Sequence, residues 1–269
     1  MADDDGGRPL ETGWLADTPV GDTVLRRFQW NQADANEVIA RAVGGRVERT
    51  ADVSLVDAAS PAPYYNQALL FRPLRGPDDP LLDEIDRFAA GGAGRPFTLL
   101  SSWPTPSLAA RGWFLAGHPA FVVRSDGRSS HTPPPDVSVR RATTADDLAA
   151  AERVAIEGYP LDGADARAPG SVLPSALLGQ PLVFRTGWLD GTPVAAAASH
   201  VAHGVVNLCL AATLPAARRR GVWESLVWAR TGDAPELPAV AFTSDFSRPG
   251  FERMGFVPVF RFTLWFRPG

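Results

Sequence analysis

Leu210-Ala-Ala-Thr-Leu-Pro-Ala-Ala-Arg218-Arg219-Arg220-Gly221-Val222-Trp223-Glu224 is the stretch on which the reading of this sequence turns. The run Val205 to Thr213 reads as a strand, Pro215 ends it, and Val222 to Arg230 reads as a helix. Between them lie three arginines and a glycine. A helix start offers N–H groups that lack acceptors and the positive end of the dipole, and a glycine lets a diphosphate approach the backbone. A strand feeding such a turn into a helix is an anion site, whereas three arginines taken alone are equally a solvated charged turn.

Working outward, Val137 to Arg140 reads as a strand, and Thr144 as the N-cap of an Ala-rich helix running through Glu152 to about Glu157. Leu182–Trp188 and Val194–Val201 read as strands around Asp190-Gly191, a dipeptide suited to the positive φ of a tight hairpin. His203-Gly204 marks a second turn. After the Val222 helix come a strand at Ala239–Phe242, a short helix at Arg248–Met254 and a last strand at Val257–Trp265. The element order is βαβββαβαβ.

In that order, the turn resembles motif A of the GNAT acyltransferase superfamily, Arg or Gln, two residues, Gly, one residue, then Gly or Ala: Arg218 and Gly221 match, and Pro215 fits the strand exit. Ser244-Asp-Phe-Ser-Arg-Pro-Gly-Phe251-Glu-Arg-Met-Gly255-Phe256 resembles motif B. The resemblance covers residues 137–269. It implies acetyl-CoA or another acyl-CoA as cosubstrate, with Ala211 and Thr213 contacting the pantetheine arm. It also implies a diphosphate held by Arg218, Arg219, Arg220, Gly221, Val222, Trp223 and Glu224, and an acyl carbonyl polarised by a main-chain N–H near Ala211 to Thr213. Two positions depart from the family: Phe251 replaces a tyrosine that protonates the leaving thiolate in many relatives, and Trp223 replaces the preferred Gly or Ala.

Glu157 and Tyr159 fall where relatives line the acceptor cleft, and Ser244 where relatives place a side chain near the cofactor arm; these three are the candidate catalytic residues. Each has a plainer reading, an acidic helix end, a buried tyrosine and a loop-capping serine. His200 and His203 read as turn histidines, and Cys209 as a small buried thiol. One Cys and four His show no metal-ligand spacing, so no metal is expected.

The first half shows a similar alternation without motif A. A helix at Asn31–Ala42 precedes strands at Val47–Val56 and Gln67–Phe71, a helix at Pro80–Ala90, a strand at Phe97–Ser101 and a final pair around Trp113 and Phe121–Val123. It resembles a degenerate GNAT repeat, with Tyr64, Tyr65, Asn66, Trp103 and Trp113 on the acceptor side or in the core. Ser125 to Asp136, with three consecutive prolines, reads as a linker. The expected architecture is α+β: a segment 1–21, a degenerate domain 22–124, the linker 125–136 and an acyl-CoA-binding domain 137–269. Each domain is a central, mixed but mostly antiparallel sheet flanked by helices.

Composition narrows the chemistry. The 269 residues contain no lysine, so all 26 basic side chains are arginine, which excludes Schiff-base and Walker-lysine mechanisms and fits a GC-rich bacterial genome. A net charge of -4 with dispersed arginines argues against nucleic acid. Asp3, Asp4 and Asp5 stand where a secretory leader is basic, and no apolar run is long enough to cross a membrane, so a cytoplasmic monomer or homodimer is expected. The functional expectation is an N-acyltransferase acting on a small-molecule or peptide amine. A non-catalytic acyl-CoA-binding module is the alternative, favoured by Phe251.

Overall fold

The structure, a computed structural model, describes residues 23–159 and 169–269; the segment 1–21 lies outside them. The first half of the chain runs α1 (Val24–Ala42), β1 (Arg46–Arg49), β2 (Val53–Asp57), β3 (Asn66–Leu70), α2 (Pro80–Ala90), β4 (Phe97–Ser101), β5 (Phe114–Gly117) and β6 (Ala120–Arg124). The second runs β7 (Val137–Arg141), α3 (Ala145–Gly158), β8 (Leu182–Leu189), β9 (Thr192–Ala202), β10 (Val205–Thr213), α4 (Val222–Thr231), β11 (Ala239–Thr243), α5 (Arg248–Arg253), β12 (Val257–Arg261) and β13 (Thr263–Arg267).

Local chemistry sets most boundaries. Thr144 caps α3 in a reciprocal box with Asp147, an arrangement that contributes about 1 kcal/mol. Asp190 and Gly191 both have positive φ in the β8–β9 hairpin. Three sequence expectations need correction. α1 begins at Val24, not Asn31, because the Thr23 hydroxyl accepts from the Arg26 amide and caps it. The strand read over Val47–Val56 is two strands, since Thr50 Oγ1 accepts from the amides of Asp52 and Val53 and folds the chain into a turn. The strand read over Val257–Trp265 is also two, broken at the fully buried Phe262.

That break has an architectural consequence. The described strands form two sheets, β1-β2-β3-β4-β13-β5 and β12-β6-β11-β10-β9-β8-β7. Each is mostly antiparallel with one parallel pair, β3 with β4 and β10 with β11, and each pair is bridged by a helix, α2 or α4. Next to each parallel pair lies a strand from the other half: β13 enters the first sheet between β4 and β5, and β6 enters the second between β11 and β12. The partition 22–124 and 137–269 therefore follows the chain and not the sheets. Residues 125–136 carry no helix or strand but are packed in place, with Thr231 Oγ1 donating to the Gly127 carbonyl at 3.0 Å.

α1 joins the two sheets. Ile39 and Ala40 pack with Val56 of the first half and with Leu148 and Leu182 of the second, while Phe28 packs with Phe121, Val240 and Phe262. Its buried amides bond both ways: Asn31 Nδ2 donates to the His200 and Ala202 carbonyls, Gln32 Oε1 accepts from Asn207, and Asn36 Nδ2 donates to Gln67 Oε1. Unpaired, each of these groups would cost about 1–3 kcal/mol, so the polar face of α1 fixes how the halves meet.

Candidate acyl-CoA site

The site is built where β10 and β11 part. Their parallel pairing runs only through Val206–Ala239 and Asn207–Val240. On its other side β10 pairs regularly with β9 up to Cys209–Ala198 and resumes at Ala212–Ala196, leaving Leu210 and Ala211 without ladder partners. Leu210 holds a φ of 51°, unusual for a non-glycine residue and the mark of a β-bulge. The Ala211 carbonyl accepts a hydrogen bond from the Tyr159 hydroxyl. Gly158 lies so close that a Cβ there would stand 2.9 Å from that of Ala212, so only glycine lets the end of α3 rest on the bulge.

Beyond Thr213 the chain makes a 3-10 turn at Pro215–Ala217 and then the arginine loop. Arg219 and Gly221 both adopt left-handed conformations, φ 61° and 79°, turn geometry of the kind that gathers successive N–H groups into an anion-binding concavity. The amides of Arg219, Arg220 and Gly221 make no backbone hydrogen bond among the described residues. Gly221, the N-cap, supplies no side-chain acceptor, so the first amides of α4 are also open. Residues 125–136 support the loop from behind. Pro134 fills the space where a Gly221 Cβ would stand, 2.8 Å from its Cγ, and His131 Nε2 lies 3.1 Å from Ser225 Oγ at the start of α4.

The three arginines differ. Arg218 donates from Nε to the Thr213 carbonyl at 3.3 Å and ties the loop to the strand end. Arg220 is ion-paired with Asp136 at 2.8 Å. Arg219, exposed, has no partner among the described residues. Thr213 Oγ1 is buried without a hydrogen-bond partner among the described residues. Among the described residues, six consecutive amides facing no acceptor, an uncompensated cation and an orphaned hydroxyl at the strand end fit a diphosphate with an arm running along β10.

The two motif departures resolve structurally. The Trp223 indole packs edge-on against Phe251 at 5.0 Å and lies over Gly250, away from the loop, so only its amide belongs to the cradle. Val222 likewise points into the core with Leu226, and Glu224 stands exposed, 3.5 Å from His131. Phe251 is buried between Trp223 and Phe256, in the core and without a polar atom.

Of the candidate catalytic residues, only Tyr159 is tied to the bulge by a hydrogen bond. Partial burial raises its phenol above the ordinary value, so it is a hydrogen-bond donor at neutral pH. Glu157 is exposed on the last turn of α3 with no partner among the described residues. Ser244 follows β11, where its hydroxyl lies 3.0 Å from that of Ser247 and its carbonyl accepts from the amides of Ser247 and Arg248, which is a turn-forming role at the start of α5. His200 is a buried histidine whose Nδ1 meets Asn31 Oδ1 at 3.0 Å, with burial lowering its pKa; it is not a solvated turn residue. His203 pairs with Asp34 at 2.7 Å. Burial pushes the Cys209 thiol up to about 12, which removes it as a nucleophile. No cluster of metal-ligating side chains occurs among the described residues.

Solved structures share this architecture. A GCN5-related N-acetyltransferase from Kribbella flavida superposes with a TM-score of 0.60 at 18% identity, over 88% of this chain and 96% of that one. A tandem GNAT protein of the clavulanic acid biosynthesis pathway, solved without acetyl-CoA, gives 0.51 at 14% identity over 93% and 97%. The chain has the tandem GNAT fold. A GNAT-family protein from Novosphingobium aromaticivorans gives 0.56 at 16% identity over 92% and 100%. No family model matches the sequence, and no curated protein matches it significantly.

Within the tandem GNAT fold the two halves are not equivalent. The counterpart of the β10–α4 loop is the β3–α2 connection, and it does contain an arginine and a glycine, Arg75 and Gly76. There the buried Asp79 carboxylate accepts from the amides of Leu81 and Arg75 and pairs with Arg72 at 2.7 Å. A protein carboxylate occupies the helix N-terminus that a phosphate would need.

Two features of the site escaped the sequence reading. Asp136 and Pro134 belong to a segment that reads as linker. Arg230 continues the buried stripe Val222–Leu226–Arg230 at helical spacing, and a cation on an apolar stripe is a signal that the sequence carries for it.

Proposed function

We propose that the protein is an acyl-CoA-dependent N-acyltransferase, with acetyl-CoA as donor and a small-molecule or peptide amine as acceptor. The observation that carries this reading is the coincidence on one β-strand–turn–helix unit of a bulge with unpaired Leu210 and Ala211 and a run of open amides from Arg219 to Glu224. The GNAT fold of the solved relatives supports acyl transfer in general terms.

When bound, the cosubstrate supplies an acyl group activated as a thioester. Arg219 and the loop amides hold the diphosphate, with charge-assisted bonds roughly twice as strong as neutral ones. β10 aligns the arm, with Thr213 as a free hydroxyl at its end. An amide at the bulge donates to the oxygen that gains charge, and because the backbone there is already fixed, little reorganisation opposes the reaction. Glu157, exposed beside Gly158, accepts the proton that the acceptor amine must lose. A water or the Ser244–Ser247 hydroxyl pair delivers a proton to the departing sulfur, since Phe251 has none to give.

Incubation of the chain with acetyl-CoA and a panel of primary amines, with free thiol followed over time, tests the proposal. Amine-dependent CoA release that disappears in Gly221→Asp supports it; binding of acetyl-CoA with no amine-dependent release favours a non-catalytic acyl-CoA-binding module. The buried, hydroxyl-free Phe251 is the observation on the side of that second reading.

A further inference from the structure

Arg230 lies on the last full turn of α4 and is completely buried, yet no carboxylate pairs with it among the described residues. The acidic side chain closest in sequence, Asp233, is held by Arg185 Nη1 at 2.9 Å and by the Ser199 hydroxyl at 2.9 Å. Arg230 spends its donors on backbone instead. Nε reaches the Leu226 carbonyl at 3.0 Å, and Nη1 reaches both the Ala198 carbonyl on β9 at 3.0 Å and the Cys209 carbonyl on β10 at 3.3 Å. Ala198 and Cys209 are the last regular pair before the bulge. Nη2 is buried with no partner among the described residues.

On the other flank of the bulge, the Tyr159 hydroxyl donates to the Ala211 carbonyl from the end of α3. The carbonyls on either side of Leu210 are therefore each gripped by a side-chain donor, one from α4 and one from the end of α3. A residue at positive φ outside a glycine costs of order 1–3 kcal/mol and persists only where its surroundings over-determine it. Two carbonyls fixed from two elements do that for Leu210, and they fix the peptide planes that carry the N–H groups of Leu210, in the bulge, and of Ala212, where the ladder resumes.

We propose that Arg230 and Tyr159 are positioning residues that clamp the β10 bulge and so aim its amide at the acyl carbonyl. The proposal rests on the acyl-CoA reading of the site. Neither residue belongs to the phosphate loop, so the clamp governs recognition of the acyl group and not of CoA itself. The guanidinium, which pairs with no carboxylate among the described residues, adds positive potential beside the bulge.

Calorimetric titrations of acetyl-CoA and of CoA into the full chain and its variants test this without knowledge of the acceptor. The wild type is expected to prefer acetyl-CoA. In Tyr159→Phe and Arg230→Met the ratio of acetyl-CoA to CoA affinity should fall at least three-fold toward unity, while CoA affinity changes less than two-fold. Arg230→Lys, which keeps a cation and N–H donors, should restore the ratio to within two-fold of wild type. If Arg230→Met fails to fold, Tyr159→Phe decides, because its side chain is half exposed and its ring is kept. Folded variants with the wild-type ratio overturn the clamp alone. A wild type that binds CoA without preference for the acetyl form also overturns it, and a wild type that binds neither ligand overturns the acyl-CoA reading together with the clamp.

Discussion

Replacing the loop arginines one at a time should expose a difference that their shared sequence run conceals. Arg219 has no partner among the described residues, whereas Arg220 must first give up Asp136 at 2.8 Å. A charge-assisted hydrogen bond to phosphate contributes about 1.5–3 kcal/mol where water is excluded. For an exposed side chain such as Arg219 that falls to about 1–2 kcal/mol, or roughly 5- to 30-fold in Kd. Arg220 gains the same bond but loses an exposed ion pair of about 0–1 kcal/mol, and its charge is already partly cancelled, so Arg220→Ala should cost less than Arg219→Ala, by up to about 5-fold. Asp136→Asn frees Arg220 and should tighten acetyl-CoA binding about two- to three-fold, with a steeper loss on adding salt. Isothermal titration at two ionic strengths measures all three. A larger loss in Arg220→Ala than in Arg219→Ala, or weaker binding in Asp136→Asn, would refute this division of labour.

Other outcomes follow from the same structure. Asp79→Asn should destabilise the chain by about 1–3 kcal/mol, because Arg72 loses its buried carboxylate partner and keeps only the exposed Asp52, and chemical denaturation at pH 7 measures the loss. Arg72 holds the Asp79 carboxyl far below its usual 3.8, so its stabilisation is complete above about pH 4 and is lost as pH falls through the folded value; the acid limb of the stability profile should flatten in Asp79→Asn. Phe251→Tyr buries a hydroxyl in the ring cluster with Trp223 and Phe256 and should cost about 1–3 kcal/mol, read as a lower Tm. A piece spanning 137–269 lacks β6, the strand between β11 and β12, and should fail to give a cooperative thermal transition.

The strong local signals carried over from sequence to structure. The Pro80 and Val222 helices, the strand Val205–Thr213 and the Asp190-Gly191 turn depend on caps, apolar periodicity and turn residues within a few positions of one another. The exchange of β6 and β13 was not legible, because a strand's alternation fixes which face it buries but not which sheet receives it. Local pattern is also silent where a side chain acts at long range. Asp136 and Arg220 are separated by 84 positions, and Asn31 and His200 by 169. The inequivalence of the halves was legible in outcome but not in cause: motif A is missing from the first half, yet Arg75 and Gly76 stand at the equivalent turn, and it is the Asp79 carboxylate that fills it. Arg230 illustrates the remaining gap, since a sequence records a cation on an apolar stripe but not the carbonyls of β9 and β10 that help make its burial tolerable.

One acyl-CoA is expected to bind per chain, at the loop between β10 and α4. Titration of acetyl-CoA into the full-length protein, followed by calorimetry and repeated with Gly221→Asp, tests it most directly. A Cβ at Gly221 meets Pro134, its left-handed backbone strains any other residue, and the added carboxylate repels phosphate, so the variant should show no measurable heat of binding while the wild type gives a stoichiometry of about one. Two sites per chain, or undiminished binding in the variant, would contradict it.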